Sequence, residues 1–105
     1  MVEDLEDIIH LLYHASSQKL ACRIQLDGEP FPRIVHPYGI FRTPRNRIML
    51  VVWQERGYTK AGATAGYRNL DVRKLISVEA LDEHFSKQPD FNPSDSQYAE
   101  WVYHI

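Results

Sequence analysis

Between Lys19 and Leu81 no stretch keeps a helical hydrophobic period long enough to cross over a sheet, and this limits the possible folds more than any other feature. Parallel strands need such a crossover, so the middle of the chain must be built from short strands joined by turns. Leu20, Cys22, Ile24 and Leu26 alternate with Lys19, Ala21, Arg23 and Gln25, which is a half-buried strand, and Asp27-Gly28 ends it. Pro30 and Pro32 exclude a helix next, and extended chain resumes over 33–35. Pro37 lacks a ladder donor, so the strand holding His36, Tyr38 and Gly39 is expected at an edge or a bend, with Ile40 and Phe41 continuing it. A tight connection over 43–46 leads to the apolar run 48–53, the expected central strand with both faces covered. Residues 55–66 hold three glycines and read as a long mobile loop. A short strand over 67–70, a helical turn over 71–74 and a strand from Leu75 or Ile76 to Leu81 follow, with Ile76, Val78 and Ala80 on one face.

The two ends read differently. Leu5, Ile8, Ile9, Leu12 and Ala15 draw one apolar helical stripe, Asp4 can cap it, and Ser16 and Ser17 let the chain leave it. Pro89, Asn92 and Pro93 mark a linker, and the spacing of Tyr98, Trp101, Val102 and Ile105 predicts a helix starting near Ser94. The expected fold is therefore mainly β with flanking helices (α+β). It comprises an N-terminal helix over 1–17, a small five-stranded β-barrel over 18–85, and a linker and C-terminal helix over 86–105.

A chain of 105 residues suits one domain. It carries no leading basic-then-apolar segment, and its longest apolar run, 48–53, is far too short to span a bilayer. Cys22 is the only cysteine, which excludes an intrachain disulfide and fits a reducing compartment. A soluble, cytoplasmic chain without a membrane partner is expected. Net charge is −2, but it is unevenly spread. Residues 31–75 carry nine basic against two acidic side chains, giving +7, between ends of −4 and −5. Such a middle is either a footprint for a polyanion or phosphate, or a surface that the acidic ends fold over and neutralise.

A family resemblance emerges from these segments. The stretch 33–40, Arg-Ile-Val-His-Pro-Tyr-Gly-Ile, resembles the Arg-x-Val-x-Pro-x-Gly-Leu segment of WYL domains, and a polar turn then leads into a hydrophobic strand. The stretch 68–75, Arg-Asn-Leu-Asp-Val-Arg-Lys-Leu, resembles the family's Arg-x-Phe-x-x-x-Arg-Ile element and runs on into Leu81-Asp82-Glu83-His84-Phe85. The tripeptide Trp-Tyr-Leu is replaced by Ile48-Met49-Leu50, the family phenylalanine by Leu70 and its second arginine by Lys74. The resemblance covers roughly residues 18–85. It implies an SH3-like (Sm-like) barrel that binds a ligand, often single-stranded nucleic acid or a nucleotide, and regulates bacterial transcription or defence. The family's usual winged helix-turn-helix has no room here, so operator recognition is not carried over.

The resemblance makes Arg68 and Lys74 the first expected ligand-binding residues, with Tyr38 and His36 beside them to stack on a base or donate a hydrogen bond. Arg33, Arg42, Arg47 and Arg73 extend the expected set, since guanidinium forks on adjacent strands make an anion pocket. Against this, Arg68 can pair with Asp71 or Glu79, and Tyr38 can simply pack in the interior. Tyr58 and Lys60 could close over a ligand from their loop. His10 and His14 have metal-ligand spacing but no third ligand, and Cys22 falls on the inward face of its strand. His84 with Asp82 and Glu83 needs no catalytic role, and no nucleophile motif or phosphate loop is present, so neither an enzyme nor a cofactor is expected. The leading expectation is a non-enzymatic sensor of single-stranded nucleic acid or a nucleotide. The alternative is an interaction or dimerisation module whose amphipathic terminal helices bind a partner or a second copy.

Overall fold

The computed structural model describes residues 4–60 and 65–105. One helix, α1 (Leu5–Gln18), precedes six strands: β1 (Leu20–Leu26), β2 (Arg33–Arg42), β3 (Ile48–Gly57), β4 (Gly66–Asp71), β5 (Leu75–His84) and β6 (Glu100–His104). A single 3-10 turn, Val72–Lys74, joins β4 to β5. Every pairing is antiparallel, in the order β4-β3-β2-β1-β5, with β6 added on β2. The fold is mainly β (α+β), as the patterning predicts, but the expected five-stranded barrel is corrected to a six-stranded sheet that does not close. Among the described residues, β4 and β5 are its two end strands and do not pair with each other.

The helix buries Ile8, Leu12, Ala15 and Ser16 against the sheet. Fully burying an aliphatic side chain stabilises by about 1.5–3 kcal/mol, so this stripe anchors the helix more than its caps do. Asp4 occupies the N-cap position with extended backbone and makes no side-chain cap bond. The chain leaves the helix at Lys19, which is left-handed (φ 55°), two residues beyond the expected serines. Ser16 faces inward, with its Oγ 3.1 Å from the Tyr103 hydroxyl.

The strand covered on both faces is β2 rather than the expected 48–53, since only His36 and Arg42 among its ten residues are not buried. β3 pairs with it along one edge, while the other edge is divided between β1 at Arg33–Val35 and β6 at Gly39–Arg42. Pro37 lies in the gap between those two partners, where a missing N–H removes no ladder bond on that edge. The expected bend is there too: Tyr38 is an extra residue between Pro37↔Val52 and Gly39↔Val51. The loop expected over 55–66 is shorter, because β3 continues to Gly57 and β4 begins at Gly66; part of it, 61–64, lies outside the described residues.

The predicted C-terminal helix is a strand. The open edge of β2 offers ladder bonds that a helix could not use, and Glu100–His104 takes them. A bulge in β6 disguised this: Ile40 faces Tyr103 and Phe41 faces Trp101, leaving Val102 unopposed. Trp101 and Tyr103 consequently pack on opposite faces of the sheet instead of sharing one. On the α1 side lie Ile8, Leu12, Cys22, Ile24, Leu50 and Val52, with Tyr103 packed against them. On the other, Tyr38, Phe41, Val51 and Phe85 meet an aromatic layer from the C-terminal segment that includes Phe91, Tyr98 and Trp101. The indole N–H of Trp101 donates to the carbonyl of Pro93 at 2.9 Å, fixing that layer.

Candidate anion-binding site

A cavity of about 290 Å³ opens between the turn after β1, the start of β3, the end of β4 and the 3-10 turn. Four cations reach it: Arg33, Arg47, Lys60 and Lys74. They arrive from separate elements: Arg33 and Lys60 from the end of the sheet where β2 starts and β3 stops, Arg47 and Lys74 from the opposite end, where β3 starts and β4 stops. Leu26, Met49 and Leu70 give it an apolar floor.

The four cations are not equivalent. Arg33 is buried and already neutralised: its Nε–H donates to Glu29 Oε1 at 2.9 Å, and one terminal nitrogen donates to Oε2 at 2.5 Å. Its other terminal nitrogen donates to Gln54 Oε1 at 3.1 Å, and the Tyr58 ring centre lies 5.7 Å from the guanidinium carbon. Arg33 thus braces the wall, and the Tyr58 ring packs on it. Arg47, Lys60 and Lys74, all exposed, take part in no ion pair among the described residues. Asp27 and Asp71 share the cavity wall, but the Asp71 carboxylate accepts the Arg73 backbone N–H at 2.9 Å.

The other expected residues do not converge here. Tyr38 is fully buried beneath the aromatic layer, and its hydroxyl accepts the Gln88 backbone N–H at 2.7 Å; burial raises its pKa. It is an interior residue, the alternative that the sequence left open. His36 stacks on Phe85 at 4.6 Å, and its Nε2 lies 3.0 Å from Glu55 Oε1. Its Nδ1 is buried without a hydrogen-bond partner among the described residues. Burial lowers the His36 pKa, opposed by the Glu83 carboxylate and assisted by Arg56. Arg42 is exposed at the end of β2, opposite Glu100, and Arg73 is exposed on the 3-10 turn.

Arg68 belongs to a second cavity of about 260 Å³, in the seam between β4 and the C-terminal segment. One of its terminal nitrogens donates to the Tyr67 carbonyl at 2.9 Å. Tyr67, Phe91 and Tyr98 give this seam aromatic walls, and Asp90, Asp95 and Gln97 make it polar. The Tyr67 hydroxyl donates to Asp90 at 2.7 Å, and the Asn69 amide donates to Gln97 at 2.9 Å. Sequence reasoning missed the seam because 86–99 reads as linker and helix; the polar residues between Phe91 and Tyr98 were the only available signal.

Cys22 is fully buried, and desolvation pushes its thiol up to about 12, which suits a core residue and not a nucleophile. His10 and His14 are exposed on α1, and among the described residues no group of three or more potential metal ligands forms. No described helix is long and apolar enough to cross a membrane. No protein-family model, no curated protein and no solved structure matches this chain.

Proposed function

We propose that this chain is a non-enzymatic ligand-sensing module of the WYL type that works in the cytoplasm and takes a nucleotide unit, free or within a single strand, at the cavity walled by Arg47, Lys60 and Lys74. The observation that carries this reading is the convergence of these three cations, without carboxylate partners among the described residues, on one cavity. With the Arg33–Glu29 pair set aside, three cations face the two carboxylates of Asp27 and Asp71 on this wall, and a phosphate offers oxygens to the donors that remain without an ion pair. The apolar floor of Leu26, Met49 and Leu70 suits the less polar part of the same ligand. The resemblance to WYL domains supports the reading through Lys74, whereas Arg33 and Tyr38 serve the scaffold.

The alternative of partner-binding terminal helices loses its C-terminal helix, which is the strand β6, and α1 buries its stripe on the sheet. The test is titration calorimetry with AMP and with a short single-stranded oligonucleotide. Binding should weaken markedly from about 50 to about 200 mM salt as counterions are released. Lys74→Ala should weaken it several-fold while the fold persists. Absence of binding by both ligands, or an affinity unchanged in Lys74→Ala, would overturn the assignment.

A further inference from the structure

We infer that the seam between β4 and the C-terminal segment is a binding site in its own right, and that it takes one ring of a neutral sugar. Among the described residues, every side chain lining it is either aromatic or planar and polar; none is aliphatic and none is a lysine. The basic cavity, with its lysines and aliphatic floor, is built differently. At about 260 Å³ the seam is smaller than the roughly 300–1,000 Å³ of pockets for drug-sized ligands, which suits a single ring. The centre of the Phe91 ring lies 6.4 Å from that of Tyr67 and 6.3 Å from that of Tyr98, so the three make one aromatic wall. All three are half-buried and keep part of their surface open. The C–H groups on one face of a pyranose form a flat, weakly positive apolar surface, which the negative face of an aromatic ring attracts.

The polar groups beside this wall match hydroxyls, which both donate and accept. The Tyr67 hydroxyl donates to one oxygen of Asp90, the Gln97 backbone N–H to one oxygen of Asp95, and the Ser94 backbone N–H to the Asn92 side-chain carbonyl. Each carboxylate keeps its second oxygen, and Asn92 keeps its amide N–H groups. The Asn69–Gln97 bond spans the seam with one donor and one acceptor, leaving the Asn69 carbonyl oxygen and the Gln97 N–H groups. These bonds also fix the remaining donors and acceptors before a ligand arrives. Other ligand classes conflict with the lining. A phosphate would meet Asp90 and Asp95, an ammonium would meet Arg68, and a purely apolar molecule would strand the amides. A neutral ligand rich in hydroxyls avoids all three conflicts.

The test is an amide chemical-shift titration of the full chain with methyl β-D-glucopyranoside, methyl β-D-galactopyranoside and methyl α-D-mannopyranoside, with glycerol and AMP as controls. At least one pyranoside should shift Phe91, Asn92, Gln97 and Tyr98 together and saturate in the millimolar range. Glycerol, which has hydroxyls but no flat face, should leave those amides unmoved, and so should AMP. The Gln97 side chain bonds only to Asn69 among the described residues, so Gln97→Ala should keep the fold, as circular dichroism will show. It should weaken the pyranoside about three- to tenfold, the loss of roughly one net hydrogen bond. Silence of these amides with all three pyranosides, equal shifts with glycerol or AMP, or an affinity unchanged in Gln97→Ala would overturn the sugar site. AMP binding at the basic cavity is read from other amides, so the two sites stand or fall separately.

Discussion

The ring of Trp101 rests where a side chain on Gly39 would be: a Cβ at residue 39 would stand 2.8 Å from Trp101 Cζ3 and 2.5 Å from the backbone oxygen of Tyr103. The glycine is needed here for space, because β6 can seat on β2 only if nothing projects from residue 39. Since the Tyr103 oxygen is backbone, the clash cannot be relieved by turning a side chain. Gly39→Ala should therefore destabilise the chain by about 1–3 kcal/mol, the usual range for overpacking. Urea unfolding followed by tryptophan fluorescence checks this; a change below about 0.5 kcal/mol would show that β6 contributes little to the folded state.

A second prediction concerns the brace behind the basic cavity. Arg33 and Glu29 are each less than 10% exposed, at 7% and 8%, so removing either leaves a buried charge unpaired. Glu29→Ala should cost about 3–5 kcal/mol. Arg33→Lys should not restore the wall, because an ammonium cannot satisfy both Glu29 oxygens and Gln54 from one planar fork. Thermal unfolding of both variants measures this, and near-wild-type melting of Arg33→Lys would contradict the bidentate account.

Some of this arrangement was legible in the sequence and some was not, for physical reasons. The β1 alternation placed Cys22, Ile24 and Leu26 inside, because a strand with one buried face must repeat every second residue. The α1 stripe was legible in the same way at helical spacing. The β6 strand was not, because its bulge at Val102 breaks the alternation and leaves a spacing that imitates a helix. Charge counting singled out the basic residues of the middle segment, but it cannot tell Arg47 from Arg33. That difference lies in Glu29, brought back onto Arg33 across a turn containing Pro30 and Pro32. Lys60, expected only to close over a ligand from its loop, lines the cavity itself.

The pH dependence on the alkaline side follows from two buried acids. Desolvation pushes the Cys22 thiol from 9.0 up to about 12 and, acting on Tyr103, raises its hydroxyl from 10.0 to about 12. Both groups hold their protons more tightly when folded, so their contribution to stability is intact below about pH 9 and is lost as pH rises towards 12. Urea midpoints should fall across that window, and Cys22→Ala should flatten part of the slope. Native Cys22 should also react with a thiol reagent only as fast as the chain unfolds. Rapid labelling of the folded protein would contradict its burial.

On the acid side the governing group is His36. Burial against Phe85 lowers its pKa from 6.5, so the folded state favours the neutral ring. A depressed folded pKa means the contribution is present above pH 6.5 and is lost as pH falls through the lowered value. His36→Phe should reduce the loss of stability below pH 6.5, read from unfolding midpoints between neutral pH and about pH 5. An NMR titration should place the His36 midpoint below 6.5; a midpoint above it would mean that the Glu55 and Glu83 carboxylates outweigh burial.

Amide chemical-shift mapping with AMP tests the central claim most directly, because it reports where the ligand sits without altering the protein. The account predicts that shifts concentrate at Arg47, Lys60, Asn69 and Lys74, and that α1 and the outer face of β5 stay silent. Shifts centred on α1 or β5, or none at saturating AMP, would contradict an anion site at this cavity.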